Sequence, residues 1–176
     1  FRPGAIITPP PVIELGNGTR LVDPNPQNVV VDAPKDVSVS YRRQYWVSVE
    51  GVERWEGWAY EGSAIRLNET VVGGVRYTPK TQYVEVRGPA AVKVNYTASL
   101  YREFRDALGL PNPTASVELC GRRFTADTAG RLYATVETDR ECQPKFEAWP
   151  LSPYTLAILA AVTGATVAIA ARRARK

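Results

Sequence analysis

Histidine is absent from this 176-residue sequence, and so is methionine. Without histidine there is no His-based triad, no His-ligated metal site and no imidazole acid–base chemistry. Cysteine occurs twice, as Cys120 and Cys142, with no CxxC spacing. Two thiolates do not make a four-thiolate zinc site. In an exported protein they would most simply pair, and in a reducing compartment they would be buried free thiols. An excess of one charge is also missing from most of the chain. The net charge of +4 comes from the final RRARK; without its four basic residues, 18 basic side chains face 18 acidic ones. A nucleic-acid binder would carry a basic stripe on its folded part, so nucleic acid is not an expected partner.

What is present points to strands. Fourteen prolines and thirteen glycines, with many valines and threonines, favour short strands joined by tight turns. PKDVSVSY (Pro34 to Tyr41) returns as PAAVKVNY (Pro89 to Tyr96), both Pro-x-x-Val-x-Val-x-Tyr. The likeness extends upstream: Arg20 answers Arg76, Val29 and Val31 answer Val84 and Val86, and RPGAIIT at Arg2 is similar to YEGSAIRL at Tyr60. The valines alternate with polar residues, as half-buried strands require. Each phrase is therefore expected to be the closing strand of a module. The second copy opens with QYWVSVEGVERWEGWA (Gln44 to Ala59), which reads as two strands around Val47 and Trp55; the first copy has no such opening. On this reading the chain is expected to be the C-terminal piece of a longer surface protein.

YTLAILAAVTGATVAIAA (Tyr154 to Ala171) holds no charge and is followed at once by RRARK. Its length of roughly 27 Å as a helix predicts a transmembrane span. Trp149 and Tyr154 would form the interfacial belt, and the basic tail would lie in the cytoplasm with everything before it outside. The rivals are a buried core helix and a processed sorting tail. Ala160, Gly164 and Ala168 recur at the spacing of a close helix-packing face. The sequons at Asn17, Asn68 and Asn95 would accept glycans in a glycosylating export pathway.

The stretch YWVSVEG, then W-x-G-W-A-Y-x-G-S-A-I, then GVRY and VEVRGPAAVKVNY resembles the divergent B-repeat-like extracellular modules of thermophilic archaeal cell-surface proteins. The second copy matches nearly throughout and the first from Arg2 to Tyr41. TPKTQ stands where those modules often have a Phe-x-Gly-Trp strand, so that strand is expected to be short or missing. A third segment, Phe104 to Val136, resembles the carboxypeptidase-regulatory-like, transthyretin-type β-sandwich through Asp106, Gly109, Pro111, Ala115, Val117, Thr125, Asp127 and Gly130. Independently of that likeness, ASVELC and RLYATV alternate as strands, and a Cys120–Cys142 disulfide would staple a module small enough to need one.

The expected fold class is thus all-β: tandem small β modules and a transthyretin-like β-sandwich, with one C-terminal transmembrane α-helix. The expected domains are a truncated repeat at 1–43, a full repeat at 44–100 and the sandwich at 101–148. A linker and span at 149–171 and a cytoplasmic tail at 172–176 complete the chain. Short linkers near Arg42–Gln44 and Thr97–Leu100 suggest a semi-rigid rod.

Trp46, Trp55, Trp58 and Tyr60 form the one constellation that invites a ligand, as a stacking platform for a glycan. Aromatics on strands of a small β module are more often its core. Glu53 and Glu56 are close in sequence, but a turn between short strands offers no cleft for paired carboxylate catalysis. Asp127 lacks the neighbouring oxygen ligands of a calcium site. No catalytic residue, metal or cofactor is assigned. The expected function is a non-catalytic, single-pass membrane stalk that displays an upstream domain or a surface-layer lattice. The alternatives are a binding module for glycan or a partner protein, and the anchor of an extracellular enzyme such as a protease.

Overall fold

The computed structural model describes the backbone of residues 4–34 and 36–173, with side-chain surroundings through residue 163. The chain divides into two units. Phe1–Asn68 with Pro79–Val94 makes unit 1, and Glu69–Thr78 with Asn95–Lys176 makes unit 2.

In unit 1 the strands are β1 (Ala5–Ile7), β2 (Val12–Gly16), β3 (Thr19–Val22), β4 (Val29–Val31), β5 (Arg42–Glu50), β6 (Trp55–Tyr60) and β7 (Ala64–Arg66). Unit 2 then claims β8 (Thr70–Val72) and β9 (Val75–Pro79), and unit 1 resumes with β10 (Tyr83–Glu85) and β11 (Ala90–Lys93). The remaining strands, all in unit 2, are β12 (Tyr96–Glu103), β13 (Ser116–Leu119), β14 (Arg122–Thr125), β15 (Arg131–Thr138) and β16 (Lys145–Glu147). A helix, α1, covers Pro153–Arg173.

Strand β5 organises unit 1. One edge pairs with β6 from Gln44–Tyr60 to Val49–Trp55. The other edge is shared: β3 runs antiparallel to Arg42–Tyr45, and β11 runs parallel to Val47–Glu50. Alternation decides the faces. Tyr45, Val47 and Val49 point inward and are at most 7% exposed, whereas Trp46 on the opposite face is 40% exposed. The expected linker Arg42–Gln44 therefore lies inside β5, and Thr97–Leu100 likewise lies inside β12.

The repeat is visible as repeated pairing. β1 pairs with β4 and β7 with β10, placing Ile7 opposite Val29 and Ile65 opposite Val84. The amides of Gly4 and Gly62 donate to the carbonyls of Val31 and Val86, each at 2.8 Å. Each copy then contributes a hairpin, β2–β3 or β8–β9. The hairpin adds to the long strand that follows the copy's closing phrase, β5 in the first case and β12 in the second. Asn17-Gly18 joins β2 to β3 as a two-residue loop with both φ angles positive, 52° and 68°. That is the type I′ turn whose twist suits a hairpin. Gly73-Gly74 and Cys120-Gly121 turn in the same way. Strand β10 follows TPKTQ and has three residues, Tyr83–Glu85. The closing phrases differ: PAAVKVNY forms β11, but no strand is assigned at Val37–Ser40.

Unit 2 sets the four-stranded sheet β15-β12-β9-β8 and the three-stranded sheet β14-β13-β16 around one core. Tyr96, Ala98 and Leu100 from β12 meet Leu132, Ala134 and Val136 from β15, with Val75, Tyr77, Val117 and Leu119 completing it. Cys120 and Cys142 are disulfide-bonded. Two turns of the form Asp-x-x-Gly-x set the chain path. Asp106 and Asp127 each accept, through Oδ1, the N–H groups two and four residues on, at 2.8–3.0 Å. In both turns the glycine's N–H returns to the aspartate carbonyl. The family-like positions Asp106, Gly109, Asp127 and Gly130 are thus explained by turn chemistry.

The expected transmembrane helix is corrected here. No helix among the described residues is long and apolar enough to cross a membrane. Side chains of α1 are described only for 153–163, which at about 1.5 Å per residue reach roughly half of a ~30 Å hydrocarbon core. Uncharged sequence alone predicted the span, but alanine contributes little hydrophobicity per residue. The described residues are mostly β-strand, as expected, but the membrane helix of the expected fold class, and with it the single-pass localisation, does not stand. The side chains of Gly164, Ala168 and the basic tail lie outside the described residues.

Gly130 gives a direct test of unit 2. Its φ is 74°, and a Cβ there would sit 2.4 Å from the Phe104 carbonyl oxygen and 2.9 Å from the Asn112 amide nitrogen. Both are backbone atoms that pair with each other, so neither yields cheaply. Gly130→Ala is expected to cost about 2–4 kcal/mol in urea unfolding; a change below about 0.5 kcal/mol would contradict this packing.

Candidate functional site

The aromatic residues singled out by sequence lie on β5 and β6, but on two faces. Trp46 and Trp58 are cross-strand partners, and Tyr60 lies opposite Gln44, so these share the outer face. Trp55 lies opposite Val49 on the other face, with its ring edge against Gly57. The outer face is internally partnered. The two rings meet edge to face at 5.6 Å and 75°. The Arg20 guanidinium sits 4.2 Å above the Trp58 ring, and its Nε donates to Gln44 Oε1 at 2.9 Å. β3 positions that arginine by pairing Arg20 with Gln44. An edge-to-face pair with a cation on one ring is stable by itself, and it offers a sugar no continuous flat stacking surface. Trp46 and Tyr60 remain about 40% exposed.

Glu53 and Glu56 are exposed. Glu56, not Glu53, borders an open depression of about 410 Å³ together with Glu50, Arg54 and Trp55. Asp127 is committed to its own turn and to Arg131, whose Nε lies 3.1 Å from Oδ2. Its carboxyl is held below the usual range, chiefly by the Arg131 backbone N–H. Asn17, Asn68 and Asn95 are all exposed.

Sequence reasoning missed a second aromatic pair. Tyr101 and Tyr133 face each other across β12 and β15 with ring centroids 4.7 Å apart. They line an open depression of about 400 Å³ with Val71, Arg76 and Ser99 on the outer face of the unit 2 sheet. The Tyr101 hydroxyl donates to Glu103 at 2.6 Å, and this bond first, then burial, pushes its pKa up to about 12. The period-two pattern of RLYATV already put Tyr133 opposite to the core set; only the strand register brings Tyr101 beside it.

Two buried polar contacts in unit 2 were equally hidden. The Tyr77 hydroxyl donates to the Cys142 carbonyl and accepts from the Cys142 N–H, both at 2.9 Å. Asp106 gathers residues distant in sequence. Its Oδ2 accepts the Ser152 N–H at 3.0 Å and the Thr155 hydroxyl. Ser152 in turn caps α1, its Oγ accepting the Thr155 N–H at 3.2 Å with Pro153 at the first helical position. The Thr155 hydroxyl is the main cause that holds the Asp106 carboxyl well below the usual carboxylate range, against the opposing effect of burial. These groups serve structure: among the described residues no buried side-chain nitrogen or oxygen lacks a partner.

No family model matches this sequence, and no curated protein or solved structure matches it. The likenesses to B-repeat-like modules and to the transthyretin-type sandwich therefore rest on the quoted motifs alone.

The Asp106 cluster predicts an acid response. A carboxyl depressed on folding contributes stability that is complete above its unfolded value near 3.9 and is lost as pH falls toward the folded one. Melting temperature is expected to fall as pH drops below about 4. Asp106→Asn should melt several degrees lower at pH 7 and show a shallower acid limb. An unchanged limb in that variant would assign the acid sensitivity elsewhere, for example to Asp127 or Glu85, whose carboxyls are also held down.

Proposed function

We propose that the chain is a non-catalytic spacer that holds a neighbouring domain or a surface lattice at a distance, outside the reducing cytosol. The observation that carries this reading is the repeated hairpin donation. In both copies the hairpin adds main-chain hydrogen bonds to the strand that follows the closing phrase, so within unit 1 the first repeat is tied by sheet to the opening strand of the second. The Cys120–Cys142 bond supports an oxidising setting. The chemistry-bearing side chains support a structural role as well. Asp106 and Asp127 are spent on turns, Tyr77 on the Cys142 backbone, and Arg20 on Trp58.

A binding role is the second reading, and the exposed Tyr101–Tyr133 pair beside Arg76 is what favours it. It ranks second because the depression there is open and shallow, whereas ligand sites usually enclose most of what they bind.

Force spectroscopy on the full chain, tethered through its termini, tests the spacer. Discrete unfolding peaks are expected. Reduction should lengthen the released contour by about 8 nm, from 22 residues of locked separation at ~3.6 Å each. It should also lower thermal stability by roughly 3 kcal/mol in the chain-entropy model. Smooth extension at low force, with no peak, would remove the spacer reading.

A further inference from the structure

The two repeats form an internal comparison. In the second, the closing phrase becomes β11 because β5 lies beside it in parallel, Ala90 to Val47 through Lys93 to Glu50. The Val94 N–H continues the ladder to the Glu50 carbonyl at 2.9 Å. In the first repeat the matching residues, Val37 and Val39, have the same alternation and the same preceding proline. Among the described residues no strand pairs with Val37–Ser40.

Exposure follows this difference at matched positions. Val86 and Val94 are 1% and 4% exposed, while their counterparts Val31 and Val39 are only half-buried. Val92 is half-buried and Val37 is exposed; Tyr96 is buried and Tyr41 half-buried; Ile65 is half-buried and Ile7 exposed. The rest of the first repeat is built in the same way, with β1–β4 in the register of β7–β10 and a type I′ hairpin between the two paired strands in the chain. A groove of about 260 Å³ runs beside the phrase, bordered by Pro9, Asp23, Pro24, Val29, Val37 and Val39.

We propose that the first repeat is a receptor for a β-hairpin of the β5–β6 type, whose leading strand docks in parallel along Val37–Val39. The second repeat specifies this occupant. Its leading strand must offer alternating inward side chains like Tyr45, Val47 and Val49, which are all buried where they occur. It must also arrive with a partner strand on its far edge, as β5 arrives with β6, because a lone strand would expose a second unpaired edge. Docking by strand addition takes affinity from main-chain bonds and specificity from alternate pockets. This goes beyond the spacer reading by giving the module a defined partner surface.

The probe is a fluorescent synthetic peptide of this chain's own residues 42–60, added to the full disulfide-bonded protein. Anisotropy should show saturable one-site binding. The affinity should fall at least tenfold with Val39→Asp in the protein, or with Val47→Lys and Val49→Lys together in the peptide. Hydrogen exchange on the unaltered protein supplies a readout independent of how variants fold. The peptide should slow exchange at residues 37–40 at least tenfold and leave 90–94 unchanged. No binding, binding insensitive to Val39→Asp, or faster exchange at 90–94 would overturn the proposal, the last by showing displacement of the resident hairpin. A dimer of the protein that Val39→Asp dissolves would also overturn it, since a second copy would then be the occupant. Failure here would leave the force-spectroscopy result, and hence the spacer reading, untouched.

Discussion

Strand β5 offers two edges of main-chain donors and acceptors, and unit 1 holds together because three other segments satisfy them. β6 covers one edge; β3 and β11 divide the other, one antiparallel and one parallel. Nothing local compels this division. A buried edge left unpaired would cost a hydrogen bond's desolvation at every second residue, so the segments that cover β5 are under a shared constraint. That constraint explains why β2–β3, written in the first repeat, is found on the opening strand of the second. It also explains why the outer-face aromatics are where they are. Trp46 and Trp58 meet because the β5–β6 register sets them opposite, and Arg20 reaches Trp58 because β3 lies on the other side of β5.

Unit 2 solves a different problem by different means. Its sheets include the hairpins β8–β9 and β13–β14, and the longer paths from β12 to β13 and from β15 to α1 are fixed in part by polar side chains. Asp106 shows the economy of the solution. One carboxylate closes a turn through Leu108 and Leu110 and holds the start of α1 through Ser152 and Thr155. Tyr77 fixes the backbone of Cys142 in the same spirit, beside the disulfide. Stabilising groups of this unit are therefore also titratable and redox-active ones, Asp106 and the Cys120–Cys142 bond.

Much of this was legible in the residues, where the cause is local. Alternation gave the strands around Val47 and Trp55 and those of ASVELC and RLYATV, and the type I′ turns at Asn17-Gly18 and Gly73-Gly74, though first seen in the structure, have the same local kind of cause. What was not legible depends on a neighbour. Val37-x-Val39 and Val92-x-Val94 have the same pattern, yet only the second becomes a strand, because a strand exists by virtue of a partner and the pattern does not report one. The uncharged run from Tyr154 shows a related limit: lack of charge is not a measure of hydrophobic length. Of the four proposed platform residues, Trp55 parts from the others by parity along β6, which depends on where the strand begins.

The unequal repeats give the clearest link between pattern and function. Two segments that share the pattern Pro-x-x-Val-x-Val-x-Tyr bury the shared positions to different extents. What differs is the leading strand, supplied as β5 in one repeat and not paired with the other among the described residues. Apolar alternation retained at a position without a partner is costly to solubility and invites unwanted pairing. Proteins blunt such edges with charge or proline. Here Pro34 and Asp36 stand at the start of the phrase, but Val37 and Val39 keep the pattern that strand addition would use. Under the proposed docking, an edge blunted at one end and open along the valines would admit a strand of matching parity and register and resist lateral pairing beyond it. Repeat architecture and the proposed strand docking then share one physical basis: the demand of an extended main chain for a second one beside it.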